Sequence, residues 1–372
     1  MPGNVLSLAT LISRLPKAEL HLHLEGSARP ETLRELARRK RRLKKETEEW
    51  IRQRTRQSFR YHDFPDFLSA FKLVTLLLES PEDYALVTTR LVEWLGAQNV
   101  RYAEVTLAAG VVLWKKQPLE AIFEACSAAA RAAEARQGVR LRWIFDVIRH
   151  YGPAPARPVL EAAIRFRAQG VVAFGIGGDE GRGPVEQFTE IARDAREHGL
   201  HVVAHAGETV GPESIRQAVE FVGAERIGHG LTAAQDAGVL ALLRERRIPL
   251  EVCPTSNVAT GLLASLHEHP LPRFLEAGLE VTLNSDDPAM FGTSLEGEYL
   301  AAAEHFALSR EQILRLCANG FRAAFLPEEE KLAYLKALAE TAAADPAETE
   351  LSDEEDKCHQ NYRTTLRCLA LW

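Results

Sequence analysis

No Cys-X-X-Cys pair occurs in the 372 residues, and the five cysteines, at positions 126, 253, 317, 358 and 368, are scattered. An odd, dispersed set argues against a disulfide framework and for a reducing cytoplasm. It also leaves histidine and carboxylate as the material for any metal site. No run of 18 apolar residues is present, so no membrane span is expected. Met1–Leu15 lacks a basic segment followed by a long apolar core, so no secretory leader is expected. Positive charge is not in excess: the net charge of −7 removes the electrostatic signature of a nucleic-acid or anionic-membrane partner. Neither phosphate-loop pattern, G-x-x-x-x-G-K-S/T or G-x-G-x-x-G, is found, and no internal repeat or low-complexity tract is visible.

What is there begins with Lys17–Leu24, KAELHLHL, which reads as a first strand. Side chains alternate along a strand, so His21 and His23 share a face, about 7 Å apart. Such a pair can chelate one divalent metal, or can be two histidines on a half-exposed strand. Gly26 is expected to let the chain turn sharply after it. Ser27–Glu31 reads as a helix start, with a cap candidate followed by Pro30 and Glu31. Arg38–Lys45 is strongly basic and is followed by Glu46, Glu48 and Glu49, the pattern of a solvated charged helix. Phe67, Leu68 and Phe71 share a helical face that is either core or a lid over an apolar ligand.

Strands then alternate with helical segments. Further strands are expected at Val100–Leu107, Arg140–Val147, Val171–Ile176, His201–His205, Arg226–His229, Pro249–Cys253 and Glu280–Asn284. Stretches such as Val171–Ile176 are almost continuously apolar, as strands buried on both faces are. Eight strands, each followed by helix, predict an α/β fold, a (β/α)8 TIM-type barrel. Extra helices follow at Ser309–Leu326 and Glu328–Thr341. Residues 1–342 are read as one domain and 343–372 as an acidic linker and tail.

The unusual polar residues collect at the C-terminal ends of these strands, which converge on one mouth of a barrel. His21 and His23 follow the first strand, Gly178, Asp179 and Glu180 the fourth, and His205 and Glu208 the fifth. His229 follows the sixth, Asp286 and Asp287 the eighth. Three histidines and an aspartate make a nitrogen and oxygen set suited to zinc, and His21, His23, His205 and Asp286 are assigned as its ligands. Zinc lowers the pKa of a bound water to about 7. Glu208 can give or take a proton at a substrate, and His229 can orient the water or accept its proton. Alone, His229 between two glycines would be a turn residue, and Asp286–Asp287 a helix cap pair. The fourth strand has no lysine to carry a bridging carbamate, so one metal per chain is expected.

The chain resembles the adenosine deaminase family of amidohydrolase barrels from about Pro16 to Leu326. The resemblance is carried by KAELHLHLEGS (Lys17–Ser27), GGDE (Gly177–Glu180), HAGET (His205–Thr209), RIGHG (Arg226–Gly230), EVCPTSN (Glu251–Asn257) and NSDDP (Asn284–Pro288). It implies zinc on the same four ligands, Glu208 as donor of a proton to purine N1, and His229 on the attacking water, with Asp286 beside them. It further implies Asp287 on N7, the Gly178 N–H on N3, and Phe64, Phe67, Leu68 and Phe71 as a hydrophobic lid. Expected substrate contacts are thus His23, Glu25, Gly178, Asp287, Phe67 and Phe71.

The activity implied is hydrolytic deamination of adenosine or 2′-deoxyadenosine, a small-molecule purine nucleoside. Aminodeoxyfutalosine is the alternative substrate, free adenine ranks last, and an inactive nucleoside-binding relative is the remote reading. Two positions depart from the adenosine pattern. Glu25 stands where relatives usually have the Asp that meets the ribose 5′-hydroxyl. Val105–Ala109 lacks the arginine often found there, which removes one partner for a carboxylated substrate; Arg29, Lys72 and Arg149 are the candidate replacements.

Overall fold

The computed structural model describes residues 2–40 and 61–344. The basic run beyond Lys40 and the acidic tail from residue 345 lie outside the described residues. Eight parallel strands follow in sequence order: β1 Lys17–His23, β2 Val100–Leu107, β3 Arg140–Ile148, β4 Val171–Gly177, β5 His201–Ala206, β6 Arg226–His229, β7 Leu250–Val252 and β8 Val281–Leu283. Each pairs with the next. Closure between β8 and β1 is made beyond β8 by Asp286, which bridges to Leu22. Its N–H donates to His21 O at 3.0 Å, and its carbonyl accepts the His23 N–H at 2.9 Å. The expected barrel is therefore present, with its expected strands shortened at β7 and β8 by one residue at each end.

The strands form because their residues are buried on both faces: β1, β6, β7 and β8 have no exposed position. Helices pack outside on one large apolar core. Among the helices not foreseen are Pro2–Arg14, Pro81–Ala97, Ala109–Trp114 and Leu295–His305. The second starts with a capping box, Ser80 with Asp83, a signal present in the sequence. The expected cap at Ser27 is not one. Its hydroxyl donates to Leu24 O at 2.6 Å, and the helix begins later, at Pro30. The lid stripe lies on the helix Phe64–Leu77, capped by Asp63 with Pro65 in its first turn. No helix among the described residues is long and apolar enough to cross a membrane.

The N-terminal end of the barrel is plugged by the end of helix Arg310–Ala323 and the residues after it. Phe321, Ala324 and Leu326 pack on Ala18, Leu20 and Tyr102. Phe325 lies 3.8 Å over the Arg226 guanidinium, which is itself buried inside the barrel. Arg226 ion-pairs with Glu104 from β2 and Glu251 from β7, and donates to Ala323 O at 2.9 Å. Tyr102 Oη donates to Glu104 Oε1 at 2.8 Å. A buried charge is tolerable when every partner is present and costly when one is removed.

Arg226→Ala should therefore destabilise the protein by about 3–5 kcal/mol, because two carboxylates lose their shared cation. Urea denaturation of the variant beside wild type checks this; an unchanged midpoint would show that the network does not hold the barrel floor.

Candidate metal and substrate site

Parallel strands in a barrel all end at the same mouth, so residues far apart in sequence meet there. His21 and His23 lie at the end of β1, His205 in β5, His229 at the end of β6 and Asp286 just beyond β8. The His21 and His205 rings are 4.5 Å apart, and His23 lies 5.4 Å from each of them. Asp286 Oδ1 is 3.5 Å from His21 Nε2 and 3.3 Å from His23 Nε2. Zinc bonds of about 2.0–2.1 Å in a tetrahedron place ligand atoms about 3.3–3.4 Å apart, so the two Asp286 separations suit a shared divalent ion. His21 Nε2 is buried and has no hydrogen-bond partner. Burial alone would lower the His21 pKa, but the neighbouring carboxylates of Asp286 and Glu251 outweigh it and push it up to about 10. The surroundings thus favour positive charge at the atom aimed into the cluster, as a bound cation would supply.

The backbone is strained where it delivers these groups. Asp286 and His229 both have φ of 61°, a left-handed conformation that costs a side-chain-bearing residue about 1–3 kcal/mol. Gly26 does not have positive φ, contrary to its expected role as a sharp turn. Its reason is close approach: a Cβ there would lie 1.6 Å from Asp287 Oδ1.

A second layer holds the first. Glu251 Oε2 accepts from His21 Nδ1 at 2.9 Å, leaving Nε2 to face the cluster. Ser256 Oγ donates to Asp286 Oδ2 at 2.7 Å, and Asn257 Nδ2 lies 3.3 Å from His229 Nδ1. The sequence reading gave these three no task. The available signal was an acid, Glu251, inside a short apolar strand. Cys253 also reaches the cluster. Burial and then Asp286 keep its thiol pKa well above the usual range, and it donates to Glu251 O at 3.6 Å.

The carboxyl groups of the mouth are split by their surroundings. Burial opposes charge on Asp286, but the histidines around it, His21 first, outweigh burial and hold its pKa well below the usual range. Burial, then the charges of Asp286 and Glu180, push Glu208 well above it. Burial and Asp286 do the same to Asp287. Burial drives His229 down to about 3, so the ring is neutral. Its Nε2 is 3.5 Å from Glu208 Oε1 and 3.9 Å from Asp286 Oδ2.

These groups open onto a cavity of about 460 Å³. His23, His205, Glu208, His229, Asp286, Asp287 and Gly178 line it, with Phe64, Phe67, Leu68 and Phe71 forming an apolar wall. Phe67 belongs to core and wall alike, packing on Phe291 at 5.0 Å and on Tyr61 at 5.4 Å. Asp146, a lining carboxyl absent from the sequence reading, is pushed up to about 8 by burial. The rim carries Trp114 and Tyr151, stacked at 6.3 Å, with exposed Lys72 and Arg182 beside them. Lys72 Nζ is 5.3 Å from the Trp114 ring. Glu25 is buried, its carboxylate accepts the Ala108 N–H at 3.2 Å, and it does not line the cavity. Arg29 pairs with Glu31, and Arg149 is buried behind the wall, so of the three candidate cations Lys72 alone reaches the cavity.

A family model described as adenosine deaminase matches residues 16–341. The chain is 42% identical over 321 residues to an aminodeoxyfutalosine deaminase of Streptomyces coelicolor, covering 86% of this chain and 82% of that one. It is 35% identical to an adenine deaminase of Mesorhizobium japonicum, covering 87% and 98%. An amidohydrolase from Burkholderia ambifaria, solved with bound zinc, superposes with a TM-score of 0.81 at 26% identity, covering 91% and 95%.

Elemental analysis of the purified protein should find about one zinc per chain, as expected for a single cluster of ligand side chains. Asp286→Ala should lose the metal. Two tightly held ions per chain would overturn the single-site assignment.

Proposed function

The chain belongs to the adenosine deaminase family, and from that premise we propose that it is a zinc-dependent hydrolase replacing the 6-amino group of a purine nucleoside by oxygen. The observation that carries this reading is the pairing of a carboxyl held in its acid form, Glu208, with a neutral imidazole, His229, 3.5 Å away beside the metal candidate. When bound at His21, His23, His205 and Asp286, the ion supplies a Lewis acid that makes water nucleophilic at neutral pH. His229, held through Nδ1 by Asn257, orients that water and takes its proton as the oxygen adds to C6. Glu208 gives its proton to N1, which removes aromatic stabilisation and makes C6 electrophilic. Collapse returns the C6 hydroxyl proton to Glu208 and the His229 proton to the departing nitrogen, which leaves as ammonia. Asp287 bonds N7 and the Gly178 N–H bonds N3. The free, buried Cys126, Cys253 and Cys317 support a reducing, cytoplasmic setting.

The nucleoside in this reading carries a carboxylated group at its 5′ position, of the aminodeoxyfutalosine kind. Lys72 and Arg182 stand at the cavity rim with no carboxylate within ion-pair distance among the described residues, beside the exposed Trp114 and Tyr151 faces. Glu25, turned to the Ala108 N–H, offers a 5′-hydroxyl no open partner. The likeness to the Streptomyces coelicolor enzyme supports the same choice. Adenosine and 2′-deoxyadenosine form the second reading. The groups assigned to the purine lie within the cavity and do not depend on the rim, so both should turn over.

Glu208→Gln should lose roughly 10²–10⁴ in kcat, the usual contribution of a placed general acid, while keeping its metal. In a panel of aminodeoxyfutalosine, adenosine, 5′-deoxyadenosine and adenine, the first should show the highest kcat/KM. The variants Lys72→Ala and Arg182→Ala should raise KM for it and leave adenosine unaffected. A hundredfold preference for adenosine, about 2.7 kcal/mol of transition-state binding, would move the substrate assignment and leave the reaction standing.

A further inference from the structure

Glu180 ends the fourth-strand motif, yet it does not line the cavity. Its side chain is wholly buried behind the loop that follows β5. Glu180 Oε2 accepts from three consecutive backbone amides, Glu208 at 3.1 Å, Thr209 at 2.9 Å and Val210 at 3.2 Å. Its Oε1 accepts from Ser214 Oγ at 3.1 Å. Successive amides that converge on one point make an anion-binding concavity, and here the chain's own carboxylate fills it. Arg149 completes the arrangement. Its guanidinium, also buried, lies 3.7 Å from Glu180 Oε1 and donates to His205 O at 2.8 Å and to Gly183 O. Gly183 is needed for this approach, since a Cβ there would lie 2.5 Å from the Arg149 backbone.

The segment 207–210 is neither strand nor helix. Its amides therefore have no partner in a regular element, and buried amides require one. The segment is thus held at both ends, at 208–210 by Glu180 and at His205 by Arg149. Glu208 is the side chain it presents. A catalytic group must be held to about half an ångström by residues behind it. We propose that Glu180, supported by Arg149, is a positioning residue for the deamination. It holds the Glu208–Val210 amides so that the Glu208 carboxyl stays aimed into the cavity beside His229. This rests on the reading of Glu208 as the proton donor. The charge of Glu180 acts in the same direction, being third after burial and Asp286 among the causes that keep Glu208 in its acid form.

A double-mutant cycle separates this from a merely structural role. Glu180→Gln puts an amide group against three N–H donors. It is compared with wild type, and again in a Glu208→Gln background, by ammonia release from aminodeoxyfutalosine, or from adenosine if the panel ranks it first. Metal content and KM are measured on every protein. We expect Glu180→Gln to keep its zinc, to hold KM within about threefold, and to lose roughly tenfold or more in kcat; in the Glu208→Gln background it should cost less than about threefold, because groups that act as a unit are not additive. If the two losses multiply in full, or if kcat is unchanged in Glu180→Gln, the proposal is overturned. Should Glu180→Gln not accumulate as folded protein, Glu180→Asp takes its place in the cycle, keeping the charge but withdrawing the oxygen from the amides. Full kcat in Glu180→Asp then overturns the proposal. Near-wild-type turnover of Glu208→Gln alone would instead remove the proton-donor reading on which it stands.

Discussion

The barrel closes at Asp286, and most of the mouth depends on how it closes. β8 ends at Leu283, so the rung that joins last strand to first is supplied by a residue beyond it, at φ of 61°. The two hydrogen bonds to His21 O and from His23 N–H offset that strain. They also determine where the carboxylate goes. Because its backbone is paired with the two histidines, its Oδ1 is delivered within 3.3–3.5 Å of both Nε2 atoms. Closing the sheet and building the metal candidate are one constraint met by one residue. Gly26 belongs to the same constraint, since Asp287 occupies the space its side chain would take.

From that point, charge is arranged in depth. His21 donates to Glu251, Glu251 also takes Arg226, and Arg226 reaches Glu104 across the barrel. The metal candidate is therefore tied to the ion network on the barrel floor rather than resting on the fold as a separate patch. Around the mouth, the same burial acts on several carboxyl groups with opposite outcomes. Asp286, among the histidines, is held well below the usual carboxylate range, whereas burial and then the charge of Asp286 push Glu208 and Asp287 well above it. Carboxyl groups of opposite tendency thus share one cavity without any of them being chemically unusual.

The aromatic and cationic rim obeys a different logic. Trp114 ends a helix, Ala109–Trp114, that follows β2, and Tyr151 ends the short turn after β3. These are the loops in which barrels vary from one member to the next while the strand ends keep the chemistry. A shared reaction with a differing substrate is what such a division of labour allows.

Much of the fold was legible in the sequence, because a strand buried on both faces is a continuous apolar run and a helix is not. That polar groups gather at the barrel mouth was legible too. In a parallel barrel every strand end faces the same mouth, so His21, His23, His205, His229 and Asp286 could be brought together from their places along the chain. What no linear pattern could decide was which side chain meets which. Glu104 and Arg226 are 122 residues apart, and Glu180 serves amides 28 to 30 residues away. Glu25 was read as a sugar contact, yet its carboxylate turns to the Ala108 N–H, while the Lys72 and Trp114 pair at the rim joins two separate helices. Periodicity reports the face of one element at a time. The partner across the barrel is chosen by register and by how burial divides charge among neighbours, and those exist only once the strands have closed.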